Sequence, residues 1–126
     1  MIGYVTIGAK DSEVSGKFYD AVFGAIGADR KFADGGWIGY GAKGQDGHTV
    51  YVCPPHDKNP ASFGNGSMLA FKAAGKDEVQ AAYEAGLKSG GSDEGAPGPR
   101  PADSTSFYGA YLRDPIGNKI CVYCKP

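Results

Sequence analysis

Apolar and polar or small residues alternate from Tyr4 to Ala9, with Val5 and Ile7 on one face and Tyr4, Thr6 and Gly8 on the other. That period of two predicts a half-buried strand. The period then lengthens. Val14, Phe18, Ala21 and Val22 fall at helical spacing, so a helix capped by Asp11 or Ser12 should run to about Gly24. Short strands are expected near 28–33, 36–42 and 48–53. The same succession then begins again. Met68, Leu69, Ala70, Phe71, Lys72 and Ala73 alternate within a strand expected over 67–73. Val79, Ala82, Tyr83 and Leu87 mark a helix from Lys76 to Ser89 that stops at Gly90-Gly91. A strand near 92–95 follows, and 107–113 and 119–124 should form a closing hairpin. Its turn is Asp114-Pro115-Ile116-Gly117-Asn118, where proline presets φ and glycine supplies a left-handed position. Prolines cannot donate to a ladder, so Gly95–Pro101 reads as a loop and Pro54–Gly66 as a linker.

The two halves also close alike. Gly47-His48-Thr49-Val50-Tyr51-Val52-Cys53 matches Gly117-Asn118-Lys119-Ile120-Cys121-Val122-Tyr123, which aligns Tyr51 with Cys121. A repeat of roughly 65 residues is too long for a solenoid unit. It suits two βαβββ modules, about 1–54 and 67–126, joined by a linker over 55–66 in a single domain 1–126. The expected fold is α+β: two tandem modules forming a curved mixed β-sheet cup, with the helices on its outer face. The length of 126 residues is enough for one core. A net charge of −1 offers no basic patch for nucleic acid or a membrane surface. No apolar run reaches membrane-span length, and no signal-peptide pattern opens the chain. Three cysteines, an odd number, argue against a secreted disulfide framework, so a cytoplasmic protein is expected.

The order βαβββ–βαβββ, the Arg113-Asp114-Pro115-Ile116-Gly117-Asn118 hairpin, the Phe18-Tyr19 pair and the Gly90-Gly91 junction together resemble the vicinal oxygen chelate superfamily. That superfamily includes glyoxalase I, bleomycin-resistance proteins and extradiol dioxygenases. Ile116 departs from it, because relatives usually carry a polar residue there. The resemblance implies a homodimer and a cup that takes a small molecule. In the metal-dependent relatives, the first and last strands of each module each supply one His, Glu or Gln to a divalent ion. The corresponding positions here are Tyr4, Met68, Tyr51 and Cys121. A neutral phenol is a poor ligand and a thioether is soft, so no metal and no other cofactor is expected. A register slip of one would bring in Val5, Leu69, Val50 or Val52, and Ile120 or Val122, which are no better.

By alternation, Thr6, Thr49, Cys53, Ala70, Lys119 and Tyr123 join Tyr4, Tyr51, Met68 and Cys121 as residues facing the cup. Trp37 is added from a neighbouring strand, where it shares a face with Gly39 and Gly41 that should leave room for a ligand. Tyrosine faces with hydroxyl handles suit an aromatic or amphipathic small molecule. All three cysteines read as small buried hydrophobes, although Cys53 or Cys121 would be a reactive thiol if a cation such as Lys119 lowered its pKa. Cys121 and Cys124 face opposite sides and make no redox pair. His48 and His56 read as solvated loop histidines. His56, beside Asp57, is the better placed of the two to act from a lid. Arg100 is either solvent-exposed or a clamp for an anion, Arg113 should pair with a carboxylate, and Asp93-Glu94 reads as a solvated edge. The leading expectation is metal-independent binding of a small molecule. The alternatives are a lyase or dioxygenase whose divalent metal uses His48 or His56, and a structural or regulatory dimer with no ligand.

Overall fold

The computed structural model describes residues 1–126. Its first module runs β1 (Val5–Gly8), α1 (Ser12–Gly24), β2 (Ala28–Asp34), β3 (Trp37–Ala42) and β4 (Val50–Cys53). The second runs β5 (Leu69–Lys72), α2 (Lys76–Lys88), β6 (Ser92–Pro99), β7 (Tyr108–Arg113) and β8 (Lys119–Cys124). Each module forms a four-stranded mixed sheet, ordered β1-β4-β3-β2 and β5-β8-β7-β6. In each, the first strand pairs parallel with the last, and the other pairs are antiparallel. Thr6 pairs with Tyr51 and Ala70 with Cys121, so the internal repeat holds residue by residue. No ladder joins β1 to β5. The curved sheet therefore comes in two halves, each with an open edge at the seam.

The helix-facing positions build one core that crosses the seam. Ile7, Ile38, Tyr40 and Val52 of the first sheet share it with Ala110, Leu112, Ile120, Val122 and Cys124 of the second. Phe18, Tyr19, Val22 and Phe23 enter from α1, and Val79 and Ala82 from α2. The helices touch closely because Gly86 has no side chain. A Cβ there would lie 2.9 Å from Leu112 and 3.1 Å from Phe18 and Val22. Asp11 caps α1 by accepting from the backbone amides of Glu13 and Val14.

A carboxylate knot fastens the two halves. Asp114, in the closing hairpin, is buried. Its Oδ1 accepts from the amides of Ile116 and Asn118, at 3.0 and 2.9 Å. Its Oδ2 accepts from the Tyr19 hydroxyl of α1 and from Asn118 Nδ2, both at 2.8 Å. Asn118 Nδ2 also donates to the Gly8 carbonyl of β1 at 3.0 Å. Gly117 takes φ +99° in the turn, the conformation for which glycine is suited. The hairpin motif is thus the clasp between modules, which accounts for its Asp and Asn.

One expected loop is a strand. Gly95–Pro99 continues β6, pairing Gly98 with Gly109 and Pro99 with Tyr108. Prolines fit there because β6 is an edge strand, and its register shifts at Asp93/Gly95 and Gly95/Gly98 remove the need for a regular ladder. Asp93-Glu94 is also not a merely solvated edge. Tyr83 donates to Asp93 at 2.9 Å, and Arg113 binds Glu94 at 2.8 Å.

Two tyrosines are held in their protonated form. Burial first, and the Asp114 carboxylate next, push Tyr19 well above the ordinary phenol range. Burial and the Asp20 carboxylate raise Tyr40 as well. Asp20 is itself gripped by Arg30 through two hydrogen bonds of 3.1 and 2.9 Å.

Candidate functional site

A cleft of about 720 Å³ runs along the seam between the sheets. One wall is β1, from Val5 to Gly8. The other is Met68 and Leu69 with Lys119 and Ile120, and Ser62, Gly64, Gly66 and Ser67 cross one side. The connection between β4 and β5 is pinned there, with Ala61 against Gly8 and Phe63 against Gly117. The apolar side chains of Val5, Ile7, Met68, Leu69 and Ile120 share the lining with the hydroxyls of Thr6, Ser62 and Ser67 and the Lys119 ammonium. Such a surface takes an apolar body with a polar end.

Of the residues expected to face the cup, the cleft gathers Thr6, Met68 and Lys119. Thr49 and Ala70 line a second hollow of about 290 Å³, with Phe23, Tyr40 and Phe71. Tyr4, Trp37 and Tyr51 lie on the first sheet in an aromatic patch that also includes Phe32 and His48. Tyr51 is at its centre, with ring centroids at 5.4 Å from Tyr4, 5.7 Å from Trp37 and 5.3 Å from His48. Tyr123 stacks on Phe107 at 5.4 Å. Cys53 and Cys121 are buried outside the helix-side core, whereas Cys124 lies within it, so Cys121 and Cys124 face opposite ways.

Two expectations are corrected by this geometry, and the condition set for a reactive thiol is not met. The space over Gly39 and Gly41 is not free. A Cβ on Gly39 would strike the Phe32 ring, and one on Gly41 the Gly47 carbonyl. The register shift between Arg30 and Phe32 turns Phe32 onto the concave face, which simple alternation does not reveal. His48, rather than His56, is the engaged histidine. Its Nδ1 lies 2.6 Å from the Tyr51 hydroxyl, and its ring packs on Phe32. His56 lines a separate surface hollow with Trp37 and Lys58, away from the seam cleft. The cysteines are not activated. Burial raises the Cys53 thiol. Burial also raises Cys121, outweighing the opposing pull of Tyr111, Arg100 and Lys119.

Sequence reasoning missed Tyr111 and Phe107, which carpet the second sheet. Tyr111 sits opposite Gly95 across β6 and opposite Cys121 across β8. Burial raises its hydroxyl, with the Cys121 thiol adding to the effect. The first sheet reverses this arrangement, with the ring on β2 at Phe32 and the glycine on β3 at Gly39. The signal was the glycine on each facing strand.

The residues present do not suit a divalent ion. Tyr4, Tyr51, Met68 and Cys121 offer two phenols, a thioether and a buried thiol with raised pKa. No three His, Cys, Asp or Glu side chains converge anywhere in the chain. No helix is long and apolar enough to cross a membrane.

The model of the glyoxalase/bleomycin resistance protein/dioxygenase superfamily matches residues 1–122. Among solved structures, a glyoxalase/bleomycin resistance protein from Albidiferax ferrireducens T118 is 38% identical. It covers 98% of each chain with a TM-score of 0.86. A glyoxalase-related enzyme from Fulvimarina pelagi is 22% identical, over 100% of this chain and 88% of that one, with a TM-score of 0.75. A lactoylglutathione lyase from Agrobacterium tumefaciens is 20% identical over 98% and 92%, with a TM-score of 0.66. The last two establish likeness of fold alone. No curated protein matches the sequence significantly. With two βαβββ modules, the hairpin clasp and a family match over nearly its whole length, the chain belongs to the glyoxalase/bleomycin resistance protein/dioxygenase superfamily.

Proposed function

We propose that this protein binds a small aromatic or amphipathic molecule in the seam cleft without a metal ion. The observation that carries the reading is the cleft itself: about 720 Å³, lined by apolar side chains together with hydroxyls and one ammonium. The donor set at the four family positions supports the absence of a metal, and so no lyase or dioxygenase step is derived. The raised thiols fit binding rather than covalent chemistry. The protein works as a cytoplasmic homodimer in this reading. Tyr4, Trp37, Phe63 and Met68 support the dimer, since they keep 63%, 40%, 51% and 44% of their surface exposed on the concave side and its rim.

A plug variant tests the site. Thr6 lines the cleft and is exposed, so Thr6→Trp fills the space with little change to the core. The uncharged fluorophore 1-anilinonaphthalene should bind the parent protein with rising fluorescence. It should lose affinity by at least ~10-fold in Thr6→Trp, a cost of about 1.4 kcal/mol. An unchanged affinity, at an unchanged melting temperature, would place the ligand elsewhere or nowhere.

A further inference from the structure

We infer that the second sheet presents an anion site, formed by Arg100 and Lys119 around the Tyr111 ring, that holds a carboxylate, sulfonate or phosphate end of the ligand. The inference deepens the proposed binding function and rests on it, because Lys119 also lines the seam cleft.

The Arg100 guanidinium and the Lys119 ammonium both lie within 5.5 Å of the Tyr111 ring centroid. Tyr111 is on β7, between β6 and β8, so the two cations reach it from opposite sides, Arg100 from just past the end of β6 and Lys119 from β8. Neither cation is in an ion pair. The four ion pairs of the chain use Arg30, Lys31 and Arg113 instead. Arg113, on the same face, is spent on Glu94, the Gly117 carbonyl and the Phe63 ring. Unpaired lysines on an open surface are ordinary. These two side chains differ because they are half-buried and converge on one ring.

Arg100 is also held in place for the task. Its Nη2 donates to the Ala96 carbonyl at 2.6 Å and its Nη1 to the Pro99 carbonyl at 3.1 Å. Both acceptors are neutral carbonyls, so the full positive charge is retained. A guanidinium carries five N–H donors, so most of the fork is left for a ligand. Its seat is hollowed by two glycines. A Cβ on Gly95 would lie 3.3 Å from Nη2, and one on Gly98 would lie 3.0 Å from Nη1. The Tyr111 ring spreads its face beneath the guanidinium, which fixes the fork without neutralising it. An oxyanion placed here accepts charge-assisted hydrogen bonds from a fixed fork and a mobile ammonium. Its apolar body then extends past Lys119 into the cleft.

Two probes that differ by one charge test this. They are 1-anilinonaphthalene-8-sulfonate and the uncharged 1-anilinonaphthalene, titrated at low salt into the full-length protein. The variants are Arg100→Gln, Lys119→Gln and the double variant, with melting temperature as the control for folding. The sulfonate should bind the parent protein at least ~10-fold tighter than the uncharged probe. That advantage should shrink in each single variant and vanish in the double one, with the uncharged probe unmoved by Arg100→Gln, which lies outside the cleft lining. Equal affinity of both probes for the parent protein would overturn the anion site and leave the cleft standing. So would an advantage that survives in the folded Lys119→Gln and Arg100→Gln variants. Binding of neither probe would overturn the cleft and the anion site with it.

Discussion

Replacing Asp114 by alanine should destabilise the protein by about 3 kcal/mol or more, lowering its melting temperature by on the order of 10 °C. The size follows from what is stranded. The Tyr19 hydroxyl loses its acceptor in a buried place, and two backbone amides and one hydrogen-bond contact of the Asn118 side chain lose theirs in a partly buried one. Each buried donor left without a partner costs about 1–3 kcal/mol, partly relieved where water can enter. Tyr19→Phe should cost less, about 1 kcal/mol, because Asp114 Oδ2 keeps the Asn118 amide. Urea unfolding of both variants makes the comparison. Equal losses for the two would mean that the Tyr19 contact carries the whole effect and that the bonds of Asp114 within its own hairpin contribute nothing.

Alkaline pH should remove still more stability. Tyr19 and Tyr40 have pKa values raised in the folded state, chiefly by burial, so both stay protonated while the unfolded chain ionises them near its ordinary value of about 10. The sign follows directly. Below about pH 10 both states hold these protons, and the stability is fully present. Above it the unfolded state releases them and the folded state does not, so stability falls as pH rises. Two such groups give a slope of about 2.7 kcal/mol per pH unit, enough to exhaust a typical small domain within a few units. Absorbance at 295 nm should show these tyrosines ionising together with unfolding, after the exposed ones. Tyr19→Phe should remove one of them and lower the slope by about 1.4 kcal/mol per pH unit. Smooth ionisation of all eight tyrosines with the fold intact would contradict the burial of Tyr19 and Tyr40.

Much of the fold was legible because its determinants are local. Val5 and Ile7 alternate, Phe18 and Val22 keep helical spacing, and Gly90 stops α2 with φ +99°. The alignment of Tyr51 with Cys121 carried the strand register of one module onto the other. The rest was lost where parity breaks. A single register shift on β2 turns Phe32 to the concave face, and two more on β6 let prolines into a strand. Alternation counts residues and cannot detect an extra one. The candidate site was half-legible for a similar reason. Thr6, Met68 and Lys119 meet at the cleft because Thr6 is on seam strand β1, Met68 leads into seam strand β5, and Lys119 opens β8 beside it. Tyr51 and Tyr123 instead pack on partners, Phe32, His48 and Phe107, that are set by tertiary geometry. The role of Asp114 was hidden too. Its turn was readable, but its bond to Tyr19 spans 95 residues of sequence.

The most direct test of metal-independent binding is the metal content of the purified protein, measured for zinc, nickel, iron and manganese before and after incubation with each ion and removal of the excess. With phenol, thioether and buried thiol at the family's ligand positions, every ion should stay far below one equivalent per chain, and a chelator should leave 1-anilinonaphthalene binding unchanged. A near-stoichiometric ion that is lost, together with probe binding, on chelation would contradict the account and restore a metal to the site.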